Sequence, residues 1–160
     1  MPVTPALASF NASSPAEAAA VMLSCCASRR FAAAMAAGRP YPSPGAAEAA
    51  VSSAFESLTW DDVLEAMSAH PRIGDRAAGQ SAAEQSGVAE GSRAPLAAGN
   101  TSYEARFGHV FLICATGLSG EQMRAALEQR LNNDPATERT VATAELQKIT
   151  LLRVRKAVGS

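Results

Sequence analysis

The chain has 160 residues, enough for one domain to bury a hydrophobic core. Its net charge of −1 and isoelectric point near 6.1 argue against a protein that binds nucleic acid or an anionic membrane surface. No apolar run approaches the roughly 18 residues that a transmembrane helix needs, so we expect no contact with the membrane interior.

Helix-start signals recur along the chain, whereas runs of β-branched residues are scarce. Ser14-Pro15 and Ser43-Pro44 each place a capping serine before a proline at the first helical position, and Thr59 and Ser119 provide further caps. The predicted helices are Ala16–Cys26, Arg30–Ala37, Pro44 to about Leu58, Trp60 to His70, a short one at Ser81–Ser86, Pro95–Arg106, Gly120–Leu131, and a long one from Pro135 or Thr137 to about Ala157. Val110–Ala115 is the one run typical of a strand or a buried extended segment. We therefore predict an all-α fold, a single compact domain over residues 1–160 with about seven to nine helices and one short extended segment near residues 110–115.

The cysteines and the chain ends predict a cytoplasmic location. Cys25, Cys26 and Cys114 are odd in number and two are adjacent, which favours thiols in a reducing compartment. Met1–Pro5 lacks the basic start of a secretory signal, and the last residues are not the peroxisomal tripeptide.

An arginine lies within an apolar stripe of the last predicted helix. At 100° per residue, one side of that helix presents Ala142, Leu146, Ile149, Arg153 and Ala157. A guanidinium there needs an anion, because an unpaired charge in a low dielectric is costly. The residues alone favour an internal ion pair, or a side chain that reaches solvent, over a ligand contact. For Arg130, among apolar residues of the preceding helix, we also favour a structural role.

His70 is a candidate proton donor. The following Pro71 disfavours helical geometry at His70, so this residue should end its helix and project from it. A helix C-terminus stabilises the imidazolium, which suits an acid near neutral pH. An interaction that caps the helix is the equally weighted alternative.

The remaining polar patterns favour structural roles. Ser81-Ala82-Ala83-Glu84 has the form of a capping box, which the pattern favours over catalysis. His109 is interpreted as a half-buried histidine, and Cys114 as a core residue. The chain has no His, Cys and carboxylate cluster with metal-ligand spacing, and it lacks the phosphate-loop, dinucleotide-binding and serine-hydrolase motifs.

Four segments taken together resemble the decarboxylases that act on 2-oxo-4-hydroxy-4-carboxy-5-ureidoimidazoline (OHCU), the last unstable intermediate of urate oxidation. The segments are Ala69–Gly74, Ser81–Gln85, Phe107–Ala115 and Glu145–Arg153. Gly38-Arg39-Pro40-Tyr41 is similar to the family's early Arg-Pro-aromatic element. The resemblance follows the chain in order over most of its length. This sequence departs from the family in a short linker between His70 and Ser81, and in His109, where an aromatic or apolar residue is usual.

The resemblance implies a cofactor-free, metal-free, all-helical enzyme that is typically a homodimer and acts on a small-molecule substrate. It makes His70 the catalytic acid and Glu84 its acidic partner, which acts on the substrate hydroxyl. Residues implied to contact the substrate are Pro71, Ser81, Gln85, Phe111, Leu112, Ile113, Cys114, Ala115 and Arg153, with the backbone of Phe111–Ala115 bonding the ring and ureido groups. The alternative from another functional class is a non-enzymatic helical module whose apolar groove binds a partner helix.

Overall fold

All of the regular structure that the described residues form is helical. The computed structural model describes residues 3–73, 91 and 93–159, and over these residues it contains eight α-helices and no strand. The helices are α1 (Pro5–Ala12), α2 (Pro15–Cys25), α3 (Arg29–Ala37), α4 (Pro44–Glu56), α5 (Trp60–Met67), α6 (Arg93–Phe107), α7 (Gly120–Arg130) and α8 (Pro135–Val158). None of these helices is both long and apolar enough to cross a membrane. The all-α prediction is confirmed, while the predicted helix at Ser81–Ser86 lies outside the described residues.

Capping side chains set where the first helices begin. The hydroxyl of Ser14 accepts the amide of Glu17 at 3.1 Å, and the Glu17 carboxylate accepts the amide of Ser14 at 3.1 Å, which makes a capping box before α2. Thr4 likewise accepts the amide of Leu7 at 3.1 Å and starts α1. Helix α1 was not among the predicted helices, although Thr4-Pro5 has the same pattern as Ser14-Pro15.

The chain divides into two compact units: the described residues up to Ala66 and from Leu146 onward form the first, and those from Met67 to Glu145 form the second. In the first unit, α2 packs on α3 and α3 packs on α4. The prediction of a single domain over residues 1–160 stays a prediction.

The Arg-Pro-aromatic element has a structural role in the first unit. The Arg39 guanidinium donates to the carbonyls of Phe10 and Ser13, both at 2.8 Å, and lies over the Phe10 ring at 5.4 Å. The Tyr41 hydroxyl donates to the carbonyl of Met35 at 2.6 Å. These contacts join α1 to α3 and to the turn that follows it.

The buried stripe of α8 differs from the predicted one in its second half. Buried residues along α8 are Glu138, Ala142, Leu146, Ile149, Thr150, Val154 and Val158, whereas Arg153 and Ala157 are half-buried. The stripe continues through Thr150 because its hydroxyl donates to the carbonyl of Leu146 at 2.8 Å, which satisfies the buried polar group. Arg153 therefore lies beside the apolar stripe, and the prediction that placed it within the stripe was wrong.

The second unit has its own core. Its buried members are Ile73, Leu96, Tyr103, Phe111, Ile113, Ala115, Met123 and Leu127. Gly108 ends α6 with φ at +78°, a left-handed conformation that favours glycine, and the chain then turns into residues 110–115. These residues form neither helix nor strand, and Phe111, Leu112, Ile113 and Ala115 are buried. The prediction of burial is confirmed for these four residues, and the strand alternative was wrong. Cys114, predicted as a core residue, is only half-buried, so that prediction was wrong.

Candidate functional site

His70 lies just beyond the C-terminus of α5. Its backbone amide donates to the carbonyl of Met67 at 3.0 Å, which closes the turn after the helix, and the residue is half-buried. Pro71, also half-buried, follows, and Ile73 is in the core of the second unit. The Asn100 side-chain amide donates to the carbonyl of Ile73 at 2.7 Å and fixes the far end of the segment. The short stretch of backbone from His70 to Ile73 is thus held at both ends.

The residues His70–Ile73, here called the histidine segment, share a hydrophobic core with the buried segment Phe111–Ala115 through Ile73. Ile73 belongs to one hydrophobic cluster with Phe111, Ile113 and Ala115. Two parts of the chain that the sequence analysis assigned to the site, about 40 residues apart, therefore pack together within the second unit. The site roles of His70, Pro71 and Phe111–Ala115 stay predictions.

Arg130 binds the backbone of the buried segment. Its guanidinium donates to the carbonyl of Leu112 at 2.7 Å and stacks over the Phe111 ring at 4.5 Å. Two further nitrogens donate to one carboxylate oxygen of Glu138, at 2.6 and 2.9 Å. Arg130 is only 7% exposed and Glu138 is 0% exposed, so both charges are compensated inside the protein. The structural role predicted for Arg130 is confirmed.

Glu138 is held as a carboxylate by three donors. Besides Arg130, the Tyr103 hydroxyl and the Asn133 side-chain amide both donate to it. Burial by itself raises the pKa of Glu138, but these hydrogen bonds outweigh burial and hold the pKa below its ordinary value. Burial, together with the bond to Glu138, raises the pKa of Tyr103. These two pKa shifts keep Glu138 ionised and Tyr103 protonated around neutral pH.

Glu145 is a second side chain that binds the buried segment, and the sequence analysis gave it no role. Its carboxylate accepts the backbone amide of Cys114 at 3.0 Å. Glu145 is half-buried on α8, 31 residues beyond the amide it binds. The only sequence signal was its place in the segment Glu145–Arg153, which carried the family resemblance.

Arg153 is half-buried on α8 in the first unit, close to two thiols. Burial raises the pKa of Cys25 and raises that of Cys26 to about 11, and the positive charge of Arg153 opposes both shifts. Cys25 and Cys26 are buried, and neither is in a disulfide. Cys25 and Cys26, far from Arg153 in sequence, are thus close enough for its charge to lower their pKa values.

His109 packs among aromatic rings. Its ring packs edge-on against Tyr103 and stacks on Phe107, with centroids 5.5 and 6.1 Å apart. Its Nδ1 lies 3.0 Å from the carbonyl of Val110. The prediction of a half-buried histidine is confirmed.

Three of the predicted site residues, Ser81, Glu84 and Gln85, lie outside the described residues. Within residues 3–73, 91 and 93–159, no group of three or more His, Cys, Asp and Glu side chains has an arrangement that could hold a metal ion.

Comparison with known proteins gives a consistent result. The family model for OHCU decarboxylase matches residues 11–155. The chain is 37% identical over 144 residues to the uric acid degradation bifunctional protein TTL of Arabidopsis thaliana, covering 82% of this chain and 44% of that protein. It is 31% identical over 138 residues to the 2-oxo-4-hydroxy-4-carboxy-5-ureidoimidazoline decarboxylase of Amia calva, covering 79% of each chain.

A solved structure agrees with these matches. The crystal structure of an OHCU decarboxylase in the presence of (S)-allantoin superimposes with a TM-score of 0.75 at 34% identity, over 86% of this chain and 96% of that one. The chain spans less than half of the Arabidopsis protein, which is bifunctional, but most of the Amia protein and of the crystallised chain.

Proposed function

Since the chain belongs to the OHCU decarboxylase family, we propose that it is a lyase that decarboxylates OHCU to (S)-allantoin in urate degradation. The family match over residues 11–155 carries the proposal, because it spans every segment that the resemblance assigns to the site. The packing of the histidine segment and the buried segment Phe111–Ala115 on one core supports it.

The substrate supplies most of the chemistry. Its carboxylate is on a carbon that also bears a hydroxyl and neighbours a C=N bond. When carbon dioxide leaves, the electron pair of the broken C–C bond spreads into that C=N bond. This sink makes pyridoxal, thiamine and metal unnecessary, so we propose a cofactor-free reaction.

The protein then has three tasks: it orients the carboxylate, stabilises or deprotonates the hydroxyl, and delivers a proton to one face of the carbanion. We assign the proton to His70, whose half-buried ring is on a backbone fixed by Met67 and Asn100. A fixed donor protonates one face, and this would set the S configuration.

The other roles follow the family resemblance. Glu84 accepts the hydroxyl proton or bonds it, which raises electron density for loss of carbon dioxide. Arg153 pairs with substrate oxygens through its planar fork. Ser81 and Gln85 bind substrate, Pro71 lines the site, and the backbone of Phe111–Ala115 bonds the ring and ureido groups.

We further propose that the enzyme is a cytoplasmic homodimer. The three cysteines, none in a disulfide, fit a reducing compartment. The homodimer rests on the family resemblance alone, and size-exclusion chromatography with light scattering tests it.

The activity is tested by generating OHCU in place. Urate, urate oxidase and the hydrolase of the preceding step are mixed with the protein, and circular dichroism follows the appearance of chiral allantoin. We expect optical activity to appear faster than in the mixture without the protein and in proportion to its concentration. A partner-binding helical module would leave the slow spontaneous decay, which gives racemic product, unchanged.

A further inference from the structure

Two side chains form hydrogen bonds with the backbone of the buried segment Phe111–Ala115. Arg130 on α7 donates to the carbonyl of Leu112, and Glu145 on α8 accepts the amide of Cys114. The two bonded groups are two residues apart and opposite in polarity. All of these residues belong to the second unit.

The Arg130 contact with the Leu112 carbonyl is part of a larger buried network in the second unit. Arg130 is buried, shares the Glu138 carboxylate with Tyr103, and stacks on Phe111. A substitution there would disturb the core as well as the segment. The contact at Cys114 is made by Glu145, which is only half-buried.

We propose that Glu145 is a positioning residue for the reaction: it holds the backbone at Cys114 so that the segment presents its main-chain groups to the substrate in a fixed register. This inference rests on the proposed function, in which Phe111–Ala115 binds the ring and ureido groups. Glu145 itself acts through the backbone.

Physical chemistry makes this contact suited to the task. A hydrogen bond from a backbone amide to a carboxylate is charge-assisted and therefore shorter and stronger than a neutral one. Because residues 110–115 form neither helix nor strand, no ladder of backbone bonds defines their conformation, and side-chain contacts must do so. A displacement of about 1 Å in a substrate-binding group can cost roughly a hundredfold in rate.

The test compares Glu145→Ala with Glu145→Gln. Alanine removes the acceptor, whereas the glutamine side-chain oxygen can still accept the Cys114 amide. We expect Glu145→Ala to raise KM for OHCU by about ten- to a hundredfold, with a smaller change in kcat. Glu145→Gln should stay closer to the wild type, within about fivefold, because it keeps the acceptor and loses only the charge that strengthens the bond. The matched control is Glu128→Ala, which removes an exposed carboxylate of the same unit and should leave both constants unchanged.

A second readout follows the backbone directly. In ¹⁵N NMR with hydrogen exchange, the Cys114 amide should lose protection in Glu145→Ala and keep it in Glu145→Gln. If Glu145→Ala fails to fold, Glu145→Asp replaces it, since its carboxylate is one methylene too short to reach the amide, and the same rise in KM is expected.

The outcomes separate this inference from the proposed function. An inactive wild type would overturn the proposed function and the inference with it. An active wild type with unchanged KM in Glu145→Ala would overturn the inference alone. Equal loss in the alanine and glutamine variants would also overturn it, because the negative charge and not the acceptor would then be what the reaction needs.

Discussion

Two arginines that the sequence predicted to lie among apolar residues of a helix have different surroundings in the folded chain. Arg130 is buried and donates to Glu138 and to the carbonyl of Leu112. Arg153 is half-buried beside the apolar stripe of α8, near the thiols of Cys25 and Cys26. Arg130 stabilises the fold, and Arg153 has the partial exposure that a ligand contact requires.

The difference teaches that helical periodicity identifies an arginine near the core but cannot assign its task. That assignment depends on which groups the fold brings to the guanidinium. For Arg130 one of them is the Glu138 carboxylate, from eight residues further along the chain. Substitutions in the two regions should therefore separate stability from activity.

The largest expected effect is on the stability of the Arg130 region. Glu138→Gln removes the negative charge and leaves a buried guanidinium without compensation, which typically costs about 3–5 kcal/mol in free energy of unfolding. Urea denaturation followed by far-ultraviolet circular dichroism measures the change. The control Glu121→Gln, at an exposed pair with Arg124, should leave the midpoint nearly unchanged.

Removing both charges sharpens this result. The double variant Arg130→Met with Glu138→Gln should recover part of the lost stability, because no uncompensated charge remains. Additive losses in the double variant would mean that the two residues do not act as a pair.

A smaller effect, on activity, is expected in the Arg153 region. Arg153→Lys keeps the charge but loses the planar fork, so kcat/KM should fall about ten- to a hundredfold, the range for a hydrogen bond to a charged group. The unfolding midpoint should stay near that of the wild type. The control is Arg155→Lys. Arg155 is on the same helix as Arg153 and forms an exposed ion pair with Glu48, so this variant should keep normal kinetics. A destabilised Arg153→Lys with normal kinetics would make Arg153 a structural residue like Arg130.

The smallest effect is the pH dependence that Glu138 contributes. Its hydrogen bonds hold the folded-state pKa below the ordinary value of 4.5 despite burial. As pH falls, the unfolded chain therefore takes up this proton first, and protonation favours unfolding. The contribution is complete above 4.5 and is lost as pH falls through the folded-state pKa. Urea midpoints measured between about pH 6 and pH 3 should fall less steeply in Glu138→Gln than in the wild type.

Much of the fold could be predicted because its signals are local. Ser14, Ser43 and Ser119 each accept a backbone amide at the helix starts that the sequence indicated. The stripe of α8 was predicted correctly only to Ile149, since a buried Thr150 is not apolar in sequence. Its burial depends on a hydrogen bond to the preceding turn, which composition does not reveal.

The candidate site was less predictable because its supports are distant in sequence. Glu138 looks like an acid placed in the first turn of a helix for its dipole, yet it is fully buried against Arg130 and Tyr103. Glu145 reaches an amide 31 residues away. Such pairs form only after helix packing has set the distances. The roles of His70, Glu84 and Arg153 stay predictions from family resemblance.

The most direct test of the account is the product formed by His70→Asn. The variant keeps a polar side chain but cannot donate a proton as imidazolium, so the rate should fall about a hundred- to ten-thousandfold, as for a lost general acid. Any allantoin that the variant still forms above background should lose much of its S excess, because water protonates the carbanion from either face. Chiral chromatography under single-turnover conditions, corrected for spontaneous decay, measures both. A slow variant that still yields nearly pure (S)-allantoin above background would contradict the account, because another group would then deliver the proton.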